Sequence, residues 1–375
     1  MQSIIKILIP RQLFLLVILS TGLLNHVILI PNLLEASGRD SWIAVILSFP
    51  LSLFFAWVIY LIVKNCPLEG FFSYVEKRVG RIFAFTLSIP VIVYLFIASY
   101  VTFRDLIIWL SAYFLADAPL LIINIILLSV CFIVTLIGLK SMAIASGLIL
   151  PIVMILGIFI ALTNTTLKDP SLLFPLFADG SLPVWKGVMY SLAGILEIYV
   201  VVLLQPFSQK PIKFYQLVLL VLILYILTLG PLTAAIMEFG PTEATNFRYP
   251  AYEQWRVLQI GDYISHLDFL ALYQWLSGAI IRIALFLYLL ANFFTSKKKH
   301  YRVSVRAVAI IYFALLGLVL INVETFFFYR FIHNYFLPGC MIFFATQILL
   351  SAIILFVLRK RDEKQNENAK KQPSI

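Results

Sequence analysis

The chain has 375 residues, 62% of them hydrophobic and only 12% charged, with a mean hydropathy of +1.01. Soluble domains carry roughly 45–50% apolar and 25% charged residues, so a soluble globular protein is excluded. At roughly 20 residues per crossing, the composition leaves room for about ten membrane-spanning helices and little else. The net charge of +10 is either a binding face or a topology signal, depending on where the basic residues sit.

Lys6 and Arg11 precede an apolar stretch over 13–34. It is too long for a secretory signal and has no small-residue cleavage site, so it reads as an uncleaved first span. Further runs of mostly apolar residues mark ten spans in all, at 12–34, 42–63, 82–112, 119–139, 142–163, 184–204, 214–239, 267–294, 303–321 and 335–358. Two-residue alternation is absent, so the spans are helical and the fold is an all-α integral membrane protein. Residues 1–358 form the transmembrane domain, and the polar tail 359–375 has the composition of a disordered segment. The outer connection 240–266 carries charges among aromatics and reads as a structured interfacial segment.

Positive charge stays on the cytoplasmic side. With the N-terminus inside, 20 of the 28 Lys and Arg residues fall inside, among them Lys77, Arg78, Lys297, Lys298, Lys299, Arg359, Lys360 and Arg361. Six fall outside, and Arg104 and Arg282 lie within spans. Both termini are therefore expected in the cytoplasm. The basic residues are dispersed over short loops, which argues against a nucleic-acid partner and for contact with lipid headgroups. Cys66, Cys131 and Cys340 are an odd number without CxxC spacing, so no disulfide framework is expected.

Ionisable groups at membrane depth are costly and point to function. Glu197 lies in the sixth span three residues after Gly194, which weakens the helix there. Arg282 is about 22 Å into the eighth span at 1.5 Å per residue. It either snorkels to the interface or supplies a fixed positive charge, for Glu197 or for a ligand carboxylate. Arg104 and Asp105 follow some 22 residues of the third span, near its outer end if the helix is upright, deeper if it is long and tilted. The first span carries Gly22, Asn25, His26 and Pro31, the pattern of an interrupted helix. Interruptions in the first and sixth of ten spans are the pointer to a 5+5 inverted repeat with a midplane site. Gly22, Asn25, His26, Gly194, Glu197 and Arg282 are the candidate ligand-binding or coupling residues, with Arg104 and Asp105 as further candidates. Nucleotide-binding loops, hydrolase elbows and metal-ligand spacings are absent, so no catalytic residue, metal or cofactor is assigned and the chain does not read as an enzyme.

Several short motifs, in order, resemble the spore germination protein family, the B subunits of nutrient germinant receptors, which is related to amino acid permeases of the APC superfamily. They are Pro10-Arg11-Gln12-Leu13-Phe14, Asp40-Ser41-Trp42, Pro119, Tyr249-Pro250-Ala251-Tyr252-Glu253, Arg256, Ile260-Gly261-Asp262-Tyr263-Ile264, Asp268 and Trp275. Where the family often has an arginine ahead of the position matching Asp268, this chain has His266. The resemblance implies a leucine-transporter-like fold in the spore inner membrane. It also implies a small nutrient such as an amino acid bound in the permease-like core, and action with an A subunit and a lipoprotein C subunit. The alternative function for the same pocket is a proton-coupled amino acid transporter, working through Glu197 or His26.

Overall fold

A computed structural model describes residues 7–66, 70–261, 266–295 and 303–371, with side chains to residue 362. Lys6, Asp262-Tyr263-Ile264, Lys297-Lys298-Lys299, His300 and the last four residues lie outside the described residues. In chain order the helices are α1 (Pro10–Leu23), α2 (Ile30–Ser37), α3 (Ser41–Asn65), α4 (Phe71–Val79), α5 (Arg81–Tyr113), α6 (Leu120–Ile137), α7 (Leu139–Thr163), α8 (Ser181–Ile195) and α9 (Val200–Leu204). They continue with α10 (Phe214–Asn246), α11 (Pro250–Arg256), α12 (Phe269–Phe293), α13 (Val305–Val319), α14 (Thr325–Phe331) and α15 (Leu337–Lys371).

Among the described residues, eight helical runs are long and apolar enough to cross a membrane. The chain is an all-α, multi-pass membrane protein. The run Pro10–Asn65, 56 residues long, covers the first two expected spans, because the chain reverses at Gly38–Asp40 without leaving helical hydrogen bonding. Gly38 takes φ 51° and ψ −130° there, a backbone conformation that a side chain disfavours. The ninth expected span is the shorter helix α13. The last helix continues past Leu358 to Lys371, where the composition alone suggests no regular structure. Arg, Lys, Glu and Gln are good helix formers, and a helix already nucleated in the membrane extends through them at little cost.

The two runs that carry the candidate site are also the most enclosed. Pro10–Asn65 and Ser181–Phe207 are each 89% buried over their apolar window, against 22% for Leu139–Leu167, which faces lipid. Around this centre α12 packs on α5, α6 and α1, while α8 packs on α3, α15 and α2. A buried hydroxyl cluster ties three helices: Ser48 lies 2.7 Å from Ser191 and 2.6 Å from the Tyr225 hydroxyl, which also meets Ser52 at 2.8 Å. At the other end of the first span, the N–H groups of Ile7 and Leu8 donate to the Phe207 carbonyl, and Gln209 N–H donates back to Leu8. The start of the first span is thereby clipped to the end of the sixth.

The interruptions expected from Gly22 and Pro31, and from Gly194, are changes of winding and not unwound gaps. The first span passes through a π-helical segment, Leu24–Leu29, and the sixth through a 3-10 segment, Leu196–Tyr199. Pro31 has no N–H to offer the carbonyl four residues back and its ring crowds that carbonyl. The wider π turn relieves this, and the Asn32 amide donates to the Ile28 carbonyl at 2.6 Å. A second π segment, Ile332–Phe336, joins α14 to α15.

Candidate functional site

Glu197 and Arg282, placed by the 3-10 segment of the sixth span and by α12, are both fully buried and meet face to face. Arg282 Nη1 donates to Glu197 Oε1 at 2.5 Å and Nη2 to Oε2 at 2.6 Å, a bidentate pair. Of the two sequence readings of Arg282, the structure has the fixed internal charge and not a snorkelling side chain. The remaining donors are also engaged: Nε donates to Thr102 Oγ1 at 3.0 Å, and Nη1 to the Ser20 carbonyl at 3.1 Å. The guanidinium lies 4.4 Å from the centre of the Phe286 ring. Tyr94 donates its hydroxyl to Glu197 Oε2 and packs against Phe343 and Phe344, which also touch each other. One ion pair thus joins the first, third, sixth and eighth spans.

Asn25, in the π segment, donates its amide nitrogen to the Thr21 carbonyl at 3.0 Å and reaches the Gly194 carbonyl at 3.5 Å. Gly194 is where the two central spans touch: a Cβ there would overlap the Asn25 amide oxygen and the Leu29 side chain. Gly22 makes the corresponding close approach to Leu227 of α10. Three buried polar atoms of the first span, Ser20 Oγ, Thr21 Oγ1 and Asn25 Oδ1, have no hydrogen-bond partner. Burying polar atoms unpaired costs about 1–3 kcal/mol each, so these are the groups with the most to gain from a polar ligand.

His26 stands apart from the ion pair. Its Nδ1 lies 3.3 Å from the Leu227 carbonyl, the carbonyl that Pro231, four residues on in α10, cannot bond. The imidazole therefore donates from Nδ1, as a substitute for the missing helical hydrogen bond.

Arg104 and Asp105 do not meet each other or the central pair, because neighbouring residues on a helix point about 100° apart. Arg104 donates to the carbonyls of Ile321 and Val323 and lies over the Phe328 ring. Asp105, 1% exposed, accepts from Arg248 Nη2 at 2.8 Å and from the Tyr249 hydroxyl at 3.3 Å. Arg248 in turn lies 4.0 Å from the Tyr329 ring centre. Burial pulls the Arg248 guanidinium down, but the facing Asp105 carboxylate outweighs it and holds the group above its ordinary range.

Around this pair the connection between α10 and α12 is packed inward. Trp109 stacks on Trp275 at 4.1 Å, and Tyr252 and Tyr249 sit edge-on to that pair at 5.3 and 4.9 Å. Glu253 accepts from the Tyr113 hydroxyl and from Arg256. Burial and a hydrogen bond to Asp268 raise the Tyr252 hydroxyl pKa above its usual range. Tyr249, Tyr252, Glu253 and Arg256, with Asp268 and Trp275, therefore form a cap on one end of the bundle.

Residues 8–326 match the spore germination protein family. The chain belongs to that family. It is 37% identical over 358 residues to spore germination protein XB of Bacillus anthracis, covering 94% of this chain and 98% of the relative. It is 23% identical over 288 residues to spore germination protein KB of Bacillus subtilis, covering 74% and 75% of the two chains. The match to this spore germination family takes in both central spans, the ion pair and the cap. The C-terminal helix α15 lies beyond it.

Several residues that complete the site carry little sequence signal. Tyr94, Thr102 and Ser20 are ordinary residues for a membrane helix, and one contact is made by a backbone carbonyl. A regular spacing was available: Tyr94, Ala98 and Thr102 share one face of α5 at four-residue steps. A second unforeseen cluster lies in the other π segment, where His333 Nδ1 is 3.1 Å from Asn32 Oδ1 and 3.2 Å from Glu35 Oε2. Its ring stacks on Tyr190, whose hydroxyl donates to the His333 carbonyl. That cluster links the first, sixth and tenth spans.

Proposed function

We propose that this chain is the B-type, ligand-sensing subunit of a spore nutrient receptor, built on a 5+5 leucine-transporter-like core of the APC type. It sits in the spore inner membrane with both termini cytoplasmic. A small nutrient such as an amino acid binds where the first and sixth spans meet, beside Asn25 and Gly194. Binding shifts a conformational equilibrium that an A subunit and a lipoprotein C subunit read, through its different affinity for the two states.

The observation that carries this reading is the closed Glu197–Arg282 pair beside three unpartnered polar atoms. The pair couples four spans, so a ligand that rearranges Asn25 also loads the pair, and the unpartnered atoms offer the ligand its hydrogen bonds. Winding changes at matching places in the first and sixth spans support the inverted repeat. A proton-coupled amino acid transporter needs a carboxylate or imidazole free to take up and release a proton. Glu197 has both oxygens engaged and His26 is turned to a backbone carbonyl, which favours sensing over proton coupling.

The test is nutrient-triggered release of small-molecule contents from spores with and without the chain, and with Glu197→Gln or Arg282→Ala. Deletion should abolish the response to one nutrient class, and both variants should impair it. An unchanged response to every nutrient after deletion refutes the receptor reading. Proton-driven uptake of an amino acid by the purified chain in liposomes, at ordinary transporter rates, replaces it with the transporter.

A further inference from the structure

The four oxygens around Arg282 come from three different kinds of group on three spans: the Ser20 main-chain carbonyl, the Thr102 hydroxyl and the two carboxylate oxygens of Glu197, at 3.1, 3.0, 2.5 and 2.6 Å from guanidinium nitrogens. Thr102 gives its own proton to the Ala98 carbonyl at 2.8 Å, which turns its lone pairs toward Arg282. A carboxylate, a carbonyl and a hydroxyl without a donor of its own to spare make an all-acceptor set. Such oxygen sets hold hard cations, and carbonyls of interrupted helices serve that purpose in ion-coupled transporters. Here the set is filled by a side chain of the protein. Arg282 is the one fully buried Lys or Arg among the described residues, and a guanidinium is always charged.

We propose that Arg282 is a tethered cation that takes the place of a bound sodium or potassium ion at the junction of the first, third and sixth spans. A free ion can leave, and by leaving it can couple a conformational change to a gradient. A covalently attached one cannot. The equilibrium between the chain's conformations is therefore set by its ligand and its partners and not by the alkali cations on either side of the membrane. This goes beyond the sensing role above and does not depend on which nutrient is sensed.

Removing the guanidinium while keeping Glu197 exposes a latent site for a monovalent cation. The experiment is thermal unfolding of the purified full chain in sodium, potassium and choline chloride at equal ionic strength, with no nutrient present. The wild-type midpoint should be the same in all three salts. The midpoint of Arg282→Gln should rise by about 2 °C or more in sodium or potassium relative to choline, the stabilisation expected of an ion that binds only the folded state. A wild-type midpoint that depends on sodium or potassium overturns the proposal, as does an Arg282→Gln variant indifferent to all three. Should that variant not fold, Arg282→Lys keeps a tethered charge and should be indifferent to the salt; dependence there also overturns it. Because no nutrient enters the measurement, its outcome is separate from that of the spore assay.

Discussion

The Asn25 side chain rests directly on Gly194, with its amide nitrogen 3.5 Å from the Gly194 carbonyl and no room for a methyl group between them. The two central spans are in direct contact here, at the candidate ligand site. Gly194→Ala should push them apart at a cost of about 1–3 kcal/mol, the usual range for overpacking. Adding Asn25→Ala should recover part of that loss, because the two residues share one contact. Thermal unfolding of both single variants and the double variant measures the coupling; strict additivity would mean that the contact is not shared.

Breaking the central pair from one side should be far worse than removing it entirely. Glu197→Gln or Arg282→Ala leaves a buried group without its partner, at about 3–5 kcal/mol, whereas replacing both with apolar residues of similar volume is often neutral. The double variant Glu197→Leu with Arg282→Met should therefore fold nearly as well as the wild type. In spores it should nonetheless give no nutrient response. A stable double variant with a normal response would make the pair a packing device only.

At the capped end, Arg248→Ala leaves the Asp105 carboxylate buried with only the Tyr249 hydroxyl. The expected cost is about 2 kcal/mol, below that of a fully enclosed pair because Arg248 is partly exposed. Asp105→Asn in the same chain should restore most of it. Hydrogen exchange localises the effect: amides of residues 251–256 should exchange faster in Arg248→Ala, while those of α1 and α8 should not change.

Tyr74 of α4 donates to Asp362 at 2.9 Å, and Arg78 pairs with the same carboxylate at 3.0 Å, joining α4 to the last helix. Burial first, then the hydrogen bond and the charge of Asp362, raise the Tyr74 pKa above its ordinary 10.0. A raised value in the folded state means that the protonated hydroxyl stabilises fully below pH 10 and that this contribution is lost as pH rises through the folded value. Tyr74→Phe should cost about 1 kcal/mol at neutral pH and should unfold with a shallower loss of stability above pH 10. Identical alkaline limbs for the two proteins would show that Tyr74 is not part of the joint.

The long apolar helices and their order were legible because hydrophobic run length at membrane depth depends on composition alone. The site was legible only where a residue is expensive in lipid: Glu197 and Arg282 stand out as charges, and they meet. Their other partners, Tyr94, Thr102 and the Ser20 carbonyl, cost little in a membrane helix and leave no mark. Asp105 stood out too, but its partner Arg248 is 143 residues away in a connecting segment, and no periodicity links the two. The π segments were hidden for a different reason. Pro31 announces a disturbed hydrogen bond, but whether the chain unwinds or widens depends on what fills the space, here Asn32 and the packing of Asn25 on Gly194.

Helix α13 has 15 residues, so at 1.5 Å per residue it is about 22 Å long, while the hydrocarbon layer is roughly 30 Å thick. The neighbouring α5 and α12 are long enough to span with length to spare. One flank of the molecule is thus hydrophobically shorter than the rest. A short flank is matched by local thinning of the bilayer or by snorkelling of its flanking residues, so along that edge thin membrane is favoured over thick.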